Sequence, residues 1–512
     1  MSDWTSGYVA EIGYTFGYFQ ELNPLRARMA FLHSGLVPPC EGGAHCELGF
    51  GQGMSTNIHA AASSSTWYAN DFNPAQASFA QEIAAFSGAN AHLTDEAFAD
   101  FCTRKDLPEF DSIGLHGIWS WINDENRAVI VDFIRRKLKV GGVLYISYNT
   151  QPGWAAMAPL RDLLIEHSDV MGVAGQGIAK RIDGALDFTD KLLATNPFYL
   201  TANPVVAERL KKMKERNRNY LAHEFFGRNW LPMSFAKMAQ WLEPAKVGFA
   251  CSADYLSHID GVNLTTEQQA LLNEIPDTMF QQTVRDFMVN QQFRKDYWVK
   301  GGRQLYPLEQ AEAFRAQKVM LATHRADVSL KVTGALGAAD MQEAVYGPIL
   351  DALADHKPKA LGQLEQSIKN SKNSFAQLTQ AVMVLSATGT LVAVQDDALI
   401  AKSKKQTDKL NACLMEKSRS SADMSYLASP VTGGGVPVNR FQQLFLLALS
   451  QGKKQPAEWA QFTWQILAAQ GKTLLKEGKG LVTPEENLAE LNLQATEFAN
   501  KQLPILKALQ VI

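Results

Sequence analysis

Between residues 44 and 148 short apolar, β-rich runs at 44–48, 66–70, 91–93, 110–115 and 143–148 alternate with helically spaced stretches at 54–62, 74–87, 96–101 and 125–138. Short apolar runs mark strands, and apolar recurrence at three and four residues marks a helix with one buried face. Their alternation predicts βαβ units, and so an α/β, Rossmann-like domain built on a parallel sheet. Val140-Gly141-Gly142, after the last helical run, suits a helix C-terminal cap.

From 154 to about 226 the pattern is almost unbroken helix, predicting a helical insertion. Two more β-rich stretches, 247–255 and 293–299, bracket helical runs at 265–272 and 278–290 and are expected to close the same sheet antiparallel. Beyond Gly301 the chain is mainly helical. Helices at 346–355, 361–368 and 374–388 followed by a short strand at 391–394 resemble a winged helix. The polar, basic stretch 402–409 reads as an exposed turn, and 429–435 (Ser-Pro-Val-Thr-Gly-Gly-Gly) as loop. The expected division is a core over 1–154, an insertion over 155–226, a sheet-completing regulatory segment over 227–305, a winged-helix-like domain over 306–400 and a mainly helical region over 401–512.

Composition narrows the function. Lys and Arg number 49 against 52 Asp and Glu, which argues against a chain built throughout for polyanions, so nucleic acid is an unlikely partner. Lys211, Lys212, Lys214, Arg216 and Arg218 read as a solvated helix face. The five cysteines are scattered, with no C-x-x-C pair and no histidine at zinc-ligand spacing, so neither a disulfide framework nor a metal site is expected. The first residues lack the cationic start and apolar stretch of a secretory signal, and no run approaches a membrane span of about 18 apolar residues. A cytoplasmic protein without membrane insertion is expected.

The strongest chemical signal is Glu47-Leu48-Gly49-Phe50-Gly51-Gln52-Gly53, directly after a predicted strand and before a predicted helix. Glycines there allow a tight strand-to-helix turn and let a ligand approach the backbone amides at the helix start. A dinucleotide fingerprint would need its third glycine at position 54, where Met54 stands. Asp71 follows the second strand, and a carboxylate there can accept from both ribose hydroxyls of a nucleoside, in either kind of cofactor. Asp95 follows the third strand. His116 stands after the fourth, placed to lie against a cofactor or act as a base. Ligands of open α/β sheets gather at these carboxyl ends.

The G-x-G-x-G spacing with an acid two positions before it resembles motif I of the class I S-adenosylmethionine-dependent methyltransferases. Leu138-Lys139-Val140-Gly141-Gly142 resembles their L-K-P-G-G segment, with Val140 replacing proline. The stretches 14–19, 115–121, 147–154 and 220–224 are similar to bacterial methyltransferases with a regulatory domain, among them the rickettsial protein lysine methyltransferases that modify outer-membrane protein. The resemblance covers about residues 8 to 300 and continues more weakly beyond. It implies S-adenosylmethionine as cofactor and S-adenosylhomocysteine as product, with Glu47 facing the methionine ammonium, Gly49, Phe50, Gly51 and Gly53 forming the turn, Phe72 flanking the adenine, Asp95 at the adenine amine, and Tyr14 and His116 beside the cofactor.

For the acceptor, an in-line displacement needs orientation and exclusion of water more than a covalent nucleophile. A lysine acceptor, whose usual pKa is about 10.4, must lose its proton, which an aromatic, desolvating pocket assists. The candidates are Tyr18, Trp119, Tyr148, Asn149 and Trp154, with Trp121 equally readable as packing, and with His223 and Glu224 as further candidates from the insertion. A protein lysine is the leading acceptor. A nucleic acid or small molecule, a non-catalytic cofactor sensor and an NAD-dependent oxidoreductase are the rival readings.

Overall fold

The computed structural model describes residues 13–173, 175–227, 229–369 and 373–512. The stretch read for a secretory signal, and the first residues of the family resemblance, lie in 1–12, outside the described residues. The chain enters through helix α1 (Pro24–His33), capped by the Asn23 side chain on Leu25 N. Then follow β1 (Ala44–Leu48), α2 (Met54–Ala62), β2 (Thr66–Asn70), α3 (Pro74–Ser87), β3 (Ala91–Thr94), α4 (Phe98–Phe101), β4 (Phe110–Leu115), α5 (Asp124–Lys137) and β5 (Leu138–Asn149). Strands β6 (Gly248–Ser252) and β7 (Phe293–Val299) complete a seven-stranded sheet of order β3-β2-β1-β4-β5-β7-β6. β1 to β5 are parallel and β7 lies antiparallel between β5 and β6, as the pattern predicted. Because strand order reverses between β1 and β4, a crevice opens at their carboxyl ends.

Several local expectations are corrected. Gly141-Gly142 does not cap α5: Leu138 already has extended dihedrals (φ −80°, ψ 125°), and the strand runs on through both glycines. Gly141 N donates to Lys300 O at 2.7 Å and Lys300 N to Gly142 O at 3.1 Å, so the β7 end holds them, and the φ of +81° at Gly141 is what demands glycine. Residues 402–409 are no turn but part of a 21-residue helix, Asp397–Lys417. Its buried stripe runs through Ile400, Ser403, Thr407, Leu410 and Leu414, and two of those five are hydroxyl residues whose Oγ atoms bond back to the helix carbonyls. That polar pair hides the helical period from a hydropathy reading. Residues 429–435 belong to a buried hairpin, Tyr426–Ser429 paired antiparallel with Gly434–Pro437.

The insertion helices, from Ala158–Val170 to Arg218–Phe225, bury their own core of Leu160, Leu164, Ile182, Leu186, Leu210 and Leu221. The C-terminal region has no such independence from the sheet domain. Met54, Ile58 and Ala61 of α2 and Ile83 of α3 share one apolar cluster with Leu410, Leu414 and Leu427. Strand Leu391–Val394 pairs antiparallel with Lys318–Leu321, which also pairs with Lys359–Ala360. No helix among the described residues is long and apolar enough to cross a membrane.

Candidate functional site

The β1–α2 turn is built by backbone conformation. Gly49, Gly51 and Gly53 have φ of +74°, +58° and +70°, a region that costs other L-residues about 1–2 kcal/mol. Their roles differ. A Cβ on Gly49 would sit 2.5 Å from Ile118 Cδ1, and one on Gly51 would sit 3.3 Å from Tyr14 Cδ1, so both positions concern the cavity over the turn. A Cβ on Gly53 would fall 2.4 Å from Ala80 Cβ, so this glycine, expected at the cofactor, instead allows α2 to pack against α3.

Asp71 joins the second strand tip to that turn. Its Oδ2 accepts from Gly51 N at 2.8 Å and its Oδ1 from Asn73 N at 3.0 Å. Burial pushes the carboxyl up, the two N–H groups only partly oppose this, and it rests at about 6. Gln76, one turn into α3, bridges Asp71 Oδ1 and Tyr14 N through its amide. A second buried acid is Glu224, on the last helix of the insertion, which accepts from Tyr14 Oη at 3.1 Å and is pushed by burial to about 7.

Residues 13–19 cross this cavity as a strap. Gln52 Nε2 holds Tyr14 O at 3.1 Å, and Ser55 Oγ accepts from Phe19 N at 2.8 Å. With the strap in place the cavity over the turn is narrow, about 30 Å³. At the end of the strap stands His116, whose ring stacks on Phe19 with centroids 3.5 Å apart and whose Nδ1 lies 2.7 Å from Tyr145 Oη. Burial drives His116 down to about 3, so it is neutral.

Of the expected cofactor residues, Tyr14, Gly49, Phe50, Gly51, Asp71 and His116 line this cavity, joined by Trp121, His223 and Glu224. The others do not. Glu47 is sealed beneath the turn, where Thr56 Oγ1 donates to it and burial raises it to about 8. Asp95 is exposed, and Phe72 is off the wall. Gln52, Gln76 and Phe19 are wall residues that pattern reading did not single out, since amides and a lone ring carry no motif.

The acceptor candidates are mostly displaced into packing. Trp119 is fully buried with Nε1 on Met233 Sδ at 3.5 Å, and Trp154 Nε1 donates to Asn149 Oδ1 at 3.0 Å within the insertion's core contacts. Tyr148 Oη donates to Asp296 Oδ2 at 3.0 Å, beside the Arg294 guanidinium that pairs with both Asp286 and Asp296. These four side chains lie where strand-end residues turn into the core, away from the cavity. Tyr148→Phe is therefore expected to cost about 1 kcal/mol in a denaturant titration, one buried hydrogen bond, with cofactor affinity unchanged. A large loss of affinity at constant stability would return Tyr148 to the site. Tyr18 also leaves the cofactor cavity and lies across Gly434 and Gly435, 5.0 Å between its ring and that of Tyr426.

Sheet order and site together define the class I methyltransferase fold. The structure of PKMT2 from Rickettsia typhi in complex with AdoHcy superimposes with a TM-score of 0.69 at 16% identity, over 94% of this chain and 98% of that one. Residues 217–300, which include Glu224, β6 and β7, match the model of a predicted methyltransferase regulatory domain. The chain belongs to the family of the uncharacterized protein sll1526 of Synechocystis sp., to which it is 40% identical over 512 residues, 99% of each chain. An uncharacterized Rickettsia prowazekii protein, RP789, is 27% identical over 209 residues, 38% of this chain and 35% of its own.

Proposed function

We propose that this protein is an S-adenosylmethionine-dependent methyltransferase whose acceptor is a protein lysine side chain. The observation that carries the reading is the junction of Asp71 with the Gly51 amide: a buried carboxylate and a glycine turn at neighbouring strand tips. Such a cradle suits a ribose diol and the chain attached to it, and the R. typhi neighbour of the same fold holds AdoHcy.

In this reading Asp71 receives the ribose hydroxyls, Gly49 and Gly51 let the ligand lie against the backbone, and Glu224, from the last helix of the insertion, offers a carboxylate to its ammonium end. When bound, the cofactor supplies an electrophilic methyl: the N–C bond forms as the S–C bond breaks, the electron pair stays on sulfur, and the amine proton has gone to water beforehand. His116, held neutral by burial, places no second positive charge beside a sulfonium. Its bond to Tyr145 holds the ring in position, and the strap excludes water. The same reading keeps a cytoplasmic enzyme with domain boundaries at 154, 226, 305 and 400 and a winged-helix-like domain over 306–400.

Calorimetry with S-adenosylhomocysteine and with NAD tests the cofactor, and binding of NAD alone would defeat it. Transfer of tritiated methyl groups to a protein extract, followed by separate protease and nuclease digestion, tests the acceptor. The reading also has a pH signature. Hydroxyl and ammonium donors stabilise the charged forms of Asp71 and Glu224, so binding lowers both from about 6 and about 7 and releases protons. Affinity for S-adenosylhomocysteine is thus expected to rise by at least about tenfold between about pH 5 and pH 8. An affinity that stays flat or falls over that range would remove these carboxylates from the contact. The ligand-free protein has the opposite slope from these groups: its native state holds more protons than the unfolded chain, so their contribution to stability declines as pH rises past the ordinary carboxylate range toward the raised values.

A further inference from the structure

We infer that the cavity at the β6 edge of the sheet binds a small linear diamine, with one ammonium group seated at Asp286 and the other at Asp254. This second site stands whether or not the chain transfers methyl groups.

The cavity measures about 480 Å³, inside the roughly 300–1,000 Å³ range of ligand sites. It shares no wall residue with the cavity over the glycine turn. Strand β6 borders it where the register with β7 shifts between Phe249 and Cys251, and the helix Thr278–Met288 supplies Gln282, Arg285 and Asp286. Asp254, Ser257 and His258, just after β6, complete the wall.

Charge selects the occupant. Each cation on the wall is already held by a carboxylate: Lys295 by Glu21 at 2.6 Å, Arg285 by Asp260 at 2.5 Å, and Arg294 by Asp286 at 2.6 Å and Asp296 at 2.9 Å. One guanidinium therefore serves two buried acids. Asp286, only 3% exposed, takes the Arg294 bond on Oδ1, while its Oδ2 has no hydrogen-bond partner among the described residues. A buried acceptor without a donor is rare in folded proteins, and it marks where a donor is missing. Burial pushes this carboxyl up to about 6 although Arg294 pulls it down, and Asp296 beside it adds to the rise.

Asp254 is the second seat. It is exposed, it accepts from Leu256 N and Ser257 Oγ, and it has no ion-pair partner among the described residues. His258 adds no charge, because burial holds its ring below the ordinary range. Carboxylate charge is thus in excess on this wall, and an anion would find no unpaired cation there. A metal ion does not suit it: among the described residues no three carboxylate, imidazole or thiolate groups converge to hold one, and the space is that of an organic molecule. An ammonium brings three donors to a carboxylate, the rings of Phe249 and Phe293 give a carbon chain apolar surface, and two acids on different elements suit a charge at each end.

The test is calorimetry of the full chain with 1,4-diaminobutane, and with 1,4-butanediol as the uncharged control. Saturable binding of the diamine and none of the diol is expected. Asp286→Asn keeps an acceptor for Arg294 and is expected to weaken the diamine at least about tenfold, the scale of a buried charge contact. Asp254→Asn keeps an acceptor for Leu256 N and is expected to cost about threefold, the scale of an exposed ion pair. Thermal melting checks that each variant folds, and if Asp286→Asn does not, the diol control and Asp254→Asn decide. Diol binding as tight as that of the diamine, or no saturable heat up to about 10 mM diamine, would overturn the site. Unchanged affinity in folded Asp286→Asn would overturn the buried seat, and in Asp254→Asn the exposed one.

Discussion

Asp71→Ala is expected to weaken S-adenosylhomocysteine binding about a hundredfold or more. A hydrogen bond to a charged group contributes about 1.5–3 kcal/mol, and a ribose diol engages the carboxylate twice. The change should act on binding well beyond stability. It leaves the Gly51 and Asn73 amides without their acceptor, but it also removes a buried carboxylate that burial has already pushed to about 6. The two effects on folding oppose each other, whereas nothing offsets the loss of the ribose contact. Calorimetry on the variant, with a denaturant titration beside it, separates the two quantities. An affinity within threefold of the unaltered chain, taking about 0.65 kcal/mol as the limit of interest, would take Asp71 out of the site.

Gly53→Val is expected to destabilise the fold by about 2–5 kcal/mol, combining left-handed strain with overpacking. The residue starts α2 at φ +70°, and its new Cβ would meet Ala80 Cβ at 2.4 Å, a contact neither helix can relieve without moving. Such a cost is a large share of the roughly 5–15 kcal/mol that holds a domain together. Urea unfolding should show the midpoint fall. Gly88 provides the control: it is also left-handed, at φ +66°, but open space lies where its Cβ would go, so Gly88→Ala should cost only about 1 kcal/mol. Equal losses at the two positions would show that strain alone, and no helix contact, governs Gly53.

The first five strands were legible because each is an apolar run bounded by turn chemistry, and such a run has little alternative to burial in a sheet. The glycine turn and Asp71 were legible for a related reason: a left-handed strand-to-helix turn admits few residue types, and an acid directly after the next predicted strand falls at the same edge of the sheet. Trp119, Tyr148, Asn149 and Trp154 were misplaced because strand-end position does not say which way a side chain faces. Tyr148 found a partner in Asp296, 148 residues away, and that pairing exists only after β7 is laid beside β5. Glu47 was placed beside the ligand by analogy, but Thr56 claims it under the turn.

By itself, then, the sequence determined the alternation of elements, the parallel sheet with its antiparallel extension, and the turn with Asp71, since all of these follow from local periodicity and backbone sterics. Only the tertiary structure decided that Glu224 and the 13–19 strap close over that turn, that Gly53 serves helix packing, and that the C-terminal hairpin packs against Tyr18 of the strap. Those outcomes depend on contacts between separate elements, from 27 residues apart for Gly53 and Ala80 to 210 for Tyr14 and Glu224 and more for Tyr18 and Tyr426, where packing and desolvation, which no local pattern encodes, choose the partner.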